Sequence, residues 1–114
     1  KKNRRELISK WKYLTEKYIL FLEGNTSKVL NNIKADRIHF AFLDASHTYF
    51  DIYNEFEFIC QFQEKNDVIV FDDYSISKYI GLTTAIDELC HKYHYNKEII
   101  FANKDRGYVI ASKI

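Results

Sequence analysis

Three aspartates and a histidine are the residues of this chain best placed to do chemistry. His39-Phe40-Ala41-Phe42-Leu43 is an apolar run that ends in Asp44, and Val68-Ile69-Val70-Phe71 is a second that ends in Asp72-Asp73. His47 lies three residues beyond the first acid. In a parallel sheet the C-terminal strand ends share one side, and the ligand crevice opens there. If the two runs are neighbouring strands, three carboxylates and an imidazole converge on one spot. Like charges disfavour joint ionisation, so such a trio either accepts a hard cation such as Mg2+ or Ca2+ or keeps a proton on one acid. A histidine titrates near neutrality and can take a proton from a substrate hydroxyl. A single strand-end aspartate commonly caps the turn that follows it. Two acidic strand ends together weigh toward a shared site.

Other candidates carry less. Glu23-Gly24-Asn25-Thr26-Ser27 follows a third apolar run, Tyr18-Ile19-Leu20-Phe21-Leu22. Glycine permits a tight turn there, and the amides and hydroxyls of a following helix start can bind a polar ligand. The chain holds only three glycines, with no Gly-x-Gly-x-x-Gly and no phosphate loop. His39, at a strand start, reads as structural. His91 and His94 stand three apart, as two metal ligands on a helix would, but no third ligand accompanies them and they read as solvated helix-end residues.

The elements that must position these groups alternate. Leu7, Ile8, Trp11, Leu14 and Tyr18 recur at helical spacing, and Tyr18 to Leu22 reads as a buried strand. Val29, Leu30 and Ile33 mark a short helix with Asn25, Thr26 or Ser27 as its cap. The strand ending at Asp44 follows, read as apolar on both faces. Ile52, Phe56, Ile59, Cys60 and Gln63 trace a helix, and the strand Val68 to Phe71 comes next, with Asp73-Tyr74-Ser75 as a loop. Leu82, Ala85, Ile86, Leu89, Cys90 and Tyr93 give the clearest amphipathic helix. The runs 98–102 and 107–112 flank Asn103-Lys104-Asp105-Arg106 and read as a terminal antiparallel hairpin. This alternation predicts one α/β layer with a mostly parallel sheet.

Bulk properties bound the function. At 114 residues the chain is one domain at most, 46% hydrophobic and 29% charged, as in an ordinary globular domain. A net charge of +1 supplies no field for nucleic acid. Lys1-Lys2-Asn3-Arg4-Arg5 reads as a solvated helix start. No apolar stretch is long enough for a membrane span, and no signal-peptide pattern is present. Cys60 and Cys90 fall on apolar helix faces, which predicts buried free thiols and a reducing, cytoplasmic setting. A chain without any methionine reads as a segment of something longer.

The blocks around the acids resemble a known family. Ile38 to Tyr49 is similar to the "hydrophobic strand, Asp-Gly-x-His-x-Tyr" block of class I S-adenosylmethionine-dependent methyltransferases, and Val68 to Tyr74 to its "hydrophobic strand, Asp-Asp-Tyr" block. Phe21 to Leu30 resembles its "Gly-Asp-Ser" strand and helix. The likeness is greatest to the sugar and small-molecule O-methyltransferases related to catechol O-methyltransferase. It implies a Rossmann-like layer, here the C-terminal half, with the N-terminal strands missing. It further implies that Asp44, Asp72 and Asp73 hold a divalent metal such as Mg2+. His47 is then the general base for the acceptor hydroxyl, and Gly24, Asn25 and Thr26 meet S-adenosylmethionine at its adenine end. The sequence departs from that pattern at Ala45, where the family has glycine, and at Lys65-Asn66-Asp67, where it has Gly-Gly. The acceptor implied is a small-molecule hydroxyl, with no nucleic acid or membrane partner. A non-catalytic remnant serving as a packing or homo-oligomerisation module is the alternative. A receiver-type phosphoacceptor domain ranks lower, because there the acidic pair precedes the acceptor aspartate.

Overall fold

The computed structural model describes residue 6, residues 9–44 and residues 47–114. Leu7 and Ile8 of the first stripe, and the basic run 1–5, lie outside the described residues. After a 3-10 turn at Ser9–Trp11 come α1 (Lys12–Tyr18) and α2 (Thr26–Val29, prolonged by a 3-10 turn at Leu30–Asn32). Then follow β1 (Phe40–Leu43), α3 (Tyr49–Cys60), β2 (Val68–Tyr74), α4 (Ile80–Lys92), β3 (Tyr95–Phe101) and β4 (Gly107–Lys113).

The four strands form one sheet in the order β1-β2-β4-β3. β1 and β2 are parallel, and β4 is antiparallel to both β2 and β3. Three strands therefore run one way and β4 alone is reversed. This is the mixed α/β layer that the alternation predicts. The terminal hairpin is present, but its second strand is inserted beside β2 and its first forms the outer edge.

Register builds the core. Leu43 pairs with Phe71, Phe71 with Val109, and Val109 with Ile99, so one apolar row crosses the whole sheet. Helices α3 and α4 cover that face. Ile52, Phe56, Ile59 and Cys60 are buried from α3, and Leu82, Ala85, Ile86, Leu89 and Cys90 from α4. Both helical stripes match the sequence reading. Gln63, the polar end of the first stripe, is buried too; it accepts from the Tyr95 hydroxyl at 2.6 Å and donates to the Val68 carbonyl at 3.2 Å. Both cysteines are buried and free, and burial pushes the Cys90 thiol up to about 11.

Three expectations are corrected. The run Tyr18 to Leu22 is not a buried strand: Tyr18 closes α1, residues 19–23 lie outside the sheet, and Leu20 is 80% exposed. An apolar run becomes a strand only where a neighbour takes its backbone hydrogen bonds. β1 is a sheet edge, not a strand buried on both faces; Phe40 and Phe42 stand exposed while Ala41 and Leu43 face the core. Asp73 and Tyr74 do not form a loop. β2 continues through them across a register shift between Phe71 and Tyr74.

Candidate active site at the ends of two parallel strands

The parallel register that pairs Leu43 with Phe71 sets the next residues, Asp44 and Asp72, at adjacent strand ends. The irregularity in β2 then turns Asp73 inward as well. A bulge adds a residue, bends the strand and re-aims a side chain. Asp73 takes a left-handed φ of 60°, a conformation aspartate tolerates better than most residues. Its amide donates to Asp72 Oδ1 at 2.7 Å, which holds the kink locally. One carboxylate oxygen from each of Asp44, Asp72 and Asp73 lies within 4.8 Å of the others. The sequence reading placed these acids together, and the structure does so.

His47 joins them from the turn that enters α3, one residue before the Thr48 cap, whose hydroxyl accepts from the Asp51 amide at 3.3 Å. His47 Nε2 is 2.9 Å from Asp73 Oδ2. An ionised carboxylate only accepts, so Nε2 carries the hydrogen in this pair. The ring stacks on Tyr79, with centroids 4.0 Å apart and planes at 17°. Gly81 allows this close approach of α4: a Cβ there would stand 3.2 Å from the Tyr49 amide nitrogen.

Asp73 has a second partner. Arg106, from the turn between β3 and β4, makes an ion pair through Nη2 with Asp73 Oδ1. Both oxygens of Asp73 are thus engaged, one by the imidazole and one by the guanidinium, and its side chain is only 13% exposed. Desolvation first, then the charge and hydrogen bond of Asp72 and the charge of Asp73, push the Asp44 carboxyl above the usual carboxylate range; His47 opposes this. The donor set suits a hard divalent cation. Three carboxylate oxygens gathered within 4.8 Å of one another are the hard, negative donors that Ca2+ or Mg2+ prefers.

Tyr79 and Arg106 also line a cavity of about 190 Å³ with Ser75, Lys78, Asn103 and Asp105. Asp105 fixes its wall: its carboxylate accepts from Ser75 Oγ at 3.3 Å and from the Ser77 hydroxyl. Sequence reading missed both: Arg106 lies 33 positions beyond Asp73, and the stacking of Tyr79 on His47 spans 32 positions of chain.

The other predicted group sits apart from this cluster. Gly24 has φ 137°, and a Cβ there would meet Val29 Cγ1 at 2.9 Å, so the turn requires glycine. Asn25 caps α2, accepting from the Ser27 amide at 3.0 Å and the Ser27 hydroxyl at 2.8 Å. Thr26 donates to Glu55 Oε1 of α3 at 2.7 Å. Glu55 lies two turns along α3 from the Thr48 cap, about 10 Å by helical rise.

A family model described as a methyltransferase domain matches residues 1–74, a span that contains every aspartate of the cluster, His47 and the turn at Gly24. Among solved structures, a Klebsiella pneumoniae protein described as a candidate O-methyltransferase superposes with a TM-score of 0.59 over 97% of this chain at 9% identity, covering 58% of its own length. An O-methyltransferase from Bacillus cereus, solved in complex with SAH, gives a TM-score of 0.55 over 80% of this chain at 16% identity, covering 48% of its length. The chain therefore spans about half the length of these structures, and at such identities the likeness is one of fold. No curated protein matches the sequence.

Proposed function

Because this chain belongs to the methyltransferase-domain family, we propose that it is part of an S-adenosylmethionine-dependent enzyme that methylates a hydroxyl of a sugar or other small molecule. The observation that carries this reading is the Asp73–His47 pair set beside two further acids on adjacent parallel strand ends. The cofactor, when bound, supplies an electrophilic methyl on a sulfonium sulfur. In that transfer His47 would take the proton that the acceptor hydroxyl gives up.

The protein's own groups suit that task. His47 presents Nδ1 as the base, because Nε2–H is committed to Asp73. As the ring gains a proton, the Asp73 carboxylate offsets its charge and keeps its orientation, the logic of a base held by a third group. Tyr79 restrains the ring by stacking. Asp44 and Asp72, with Asp73, are the residues that would hold a divalent cation, which polarises the acceptor hydroxyl when bound. The cavity beside Tyr79 and Arg106 is the place for the acceptor, and Gly24, Asn25 and Thr26 are the residues for the adenine end of the cofactor. Positioning and charge stabilisation do most of the work in such a displacement. No helix among the described residues is long and apolar enough to cross a membrane.

A second reading, a packing or homo-oligomerisation module without catalysis, draws support from exposed apolar residues such as Trp11, Leu14, Phe40 and Phe42. Transfer of labelled methyl from S-adenosylmethionine to a panel of sugar and phenolic hydroxyls decides between the two. His47→Ala and Asp72→Ala should each lower turnover by at least about 100-fold. Turnover equal to wild type in both variants would end the roles given to His47 and Asp72, and no transfer by the wild-type protein would favour the non-catalytic module.

A further inference from the structure

Glu55 is a charged residue in the core. It is 2% exposed, on the apolar stripe of α3 between Ile52 and Ile59. Acidic side chains are almost never buried to that degree without partners that repay their lost hydration. Glu55 is only half satisfied. Oε1 accepts from Thr26 Oγ1 at 2.7 Å, while Oε2, which is buried, has no hydrogen-bond partner among the described residues. A leucine here would avoid that cost. The hydrogen bond that Glu55 does make crosses 29 positions of chain and ends on the Gly24–Thr26 turn.

We propose that Glu55 is a positioning residue that fixes the Gly24–Thr26 turn to α3, and so holds the cofactor turn at a set distance from His47. The proposal rests on the methyltransferase reading, in which that turn meets the cofactor. Its physical basis is the helix. α3 is a rigid rod whose first turn carries the cap beside His47 and whose second turn carries Glu55. Asn25 spends its side chain on its own helix cap, while the bond from Thr26 to Glu55 joins the turn to α3. Burial raises the Glu55 carboxyl above its usual range, with Asp51 adding to the effect and Thr26 opposing it. Glutamine keeps the side-chain length and the carbonyl oxygen that accepts from Thr26 Oγ1, so it preserves the tie.

The test compares wild type, Glu55→Gln, Glu55→Leu and Thr26→Val in the full-length protein. S-adenosylhomocysteine affinity is measured by calorimetry, and amide hydrogen exchange is followed at residues 25–28. Glu55→Leu should fold with an unfolding temperature at or above wild type, because the unpaired oxygen is gone. It should nevertheless bind S-adenosylhomocysteine about tenfold more weakly and exchange faster at 25–28, the scale expected for one buried hydrogen bond. Glu55→Gln keeps the acceptor for Thr26 and should stay within about twofold of wild type. Thr26→Val should match Glu55→Leu, and the double variant should lose nothing more. Unchanged exchange at 25–28 in Glu55→Leu overturns the proposal, as does a Gln variant as damaged as the Leu one. Absence of S-adenosylhomocysteine binding in wild type would instead strike the methyltransferase reading, and exchange would still decide the positioning role.

Discussion

Phe56 is the residue whose removal should be felt farthest. Its ring is fully buried, stacked on Phe71 with centroids 5.8 Å apart and edge-on to Tyr95 at 4.9 Å. Phe71 directly precedes Asp72, so Phe56 is the floor beneath the acidic strand end. Phe56→Ala removes a ring between two others and leaves a void that rigid neighbours close only in part. Such changes cost about 3–5 kcal/mol. A domain of 114 residues unfolds with an entropy of about 0.24 kcal/mol/K. The expected fall in unfolding temperature is therefore about 17 °C, a large share of a total stability of about 5–15 kcal/mol. Circular dichroism during heating, paired with urea unfolding, measures it. Phe56→Leu, which refills most of the space, should lose less than half as much. A drop under about 5 °C for the alanine variant, with an unchanged urea slope, would refute the claim that this ring cluster supports β2.

Three further outcomes are expected. Added Ca2+ should raise the unfolding temperature at pH 7, and the effect should fade as the pH falls toward 4. The Asp44 carboxyl sits above its reference value of 3.8 in the folded protein, so its ionised form lowers stability above the folded pKa and acid relieves that cost. The cation relieves it only where the acids are ionised. Arg106→Gln, by freeing one oxygen of Asp73, should tighten Ca2+ binding in calorimetry, and weaker binding would contradict the competition. Arg37 grips Asp67 with two bonds of 3.0 Å and holds that carboxyl below its reference value of 3.8. Its stabilising effect is complete above that reference value and is lost as the pH falls through the lower folded pKa. Arg37→Met should therefore be less stable than wild type at pH 6, with the gap closing as the pH falls below the reference value of 3.8; a gap that persists in strong acid would assign it to packing.

The acids were legible in the sequence because apolar runs that end in aspartate have few other meanings, and parallel pairing puts such ends together. The α3 and α4 stripes were legible because their period is helical and a single face is buried. The run Tyr18 to Leu22 misled because hydrophobicity alone does not supply a partner strand. Asp73 and Tyr74 looked like a loop because a bulge leaves no mark in composition. Arg106 was beyond reach, since its approach to Asp73 depends on β4 lying beside β2, a long-range pairing. Glu55 did leave a signal: it stands three residues from Ile52 and four from Ile59, a charge on an otherwise apolar stripe.

β4 follows β3 along the chain but separates it from β2 in space. A ribosome must therefore deliver residues 107–113 before β3 has a strand to pair with. Until then Tyr95–Phe101 has no ladder partner in the sheet, and the turn that carries Arg106 is not held against β2. Premature stops or splices in this stretch would spare all three aspartates and His47, yet leave their negative charge without its guanidinium counterweight.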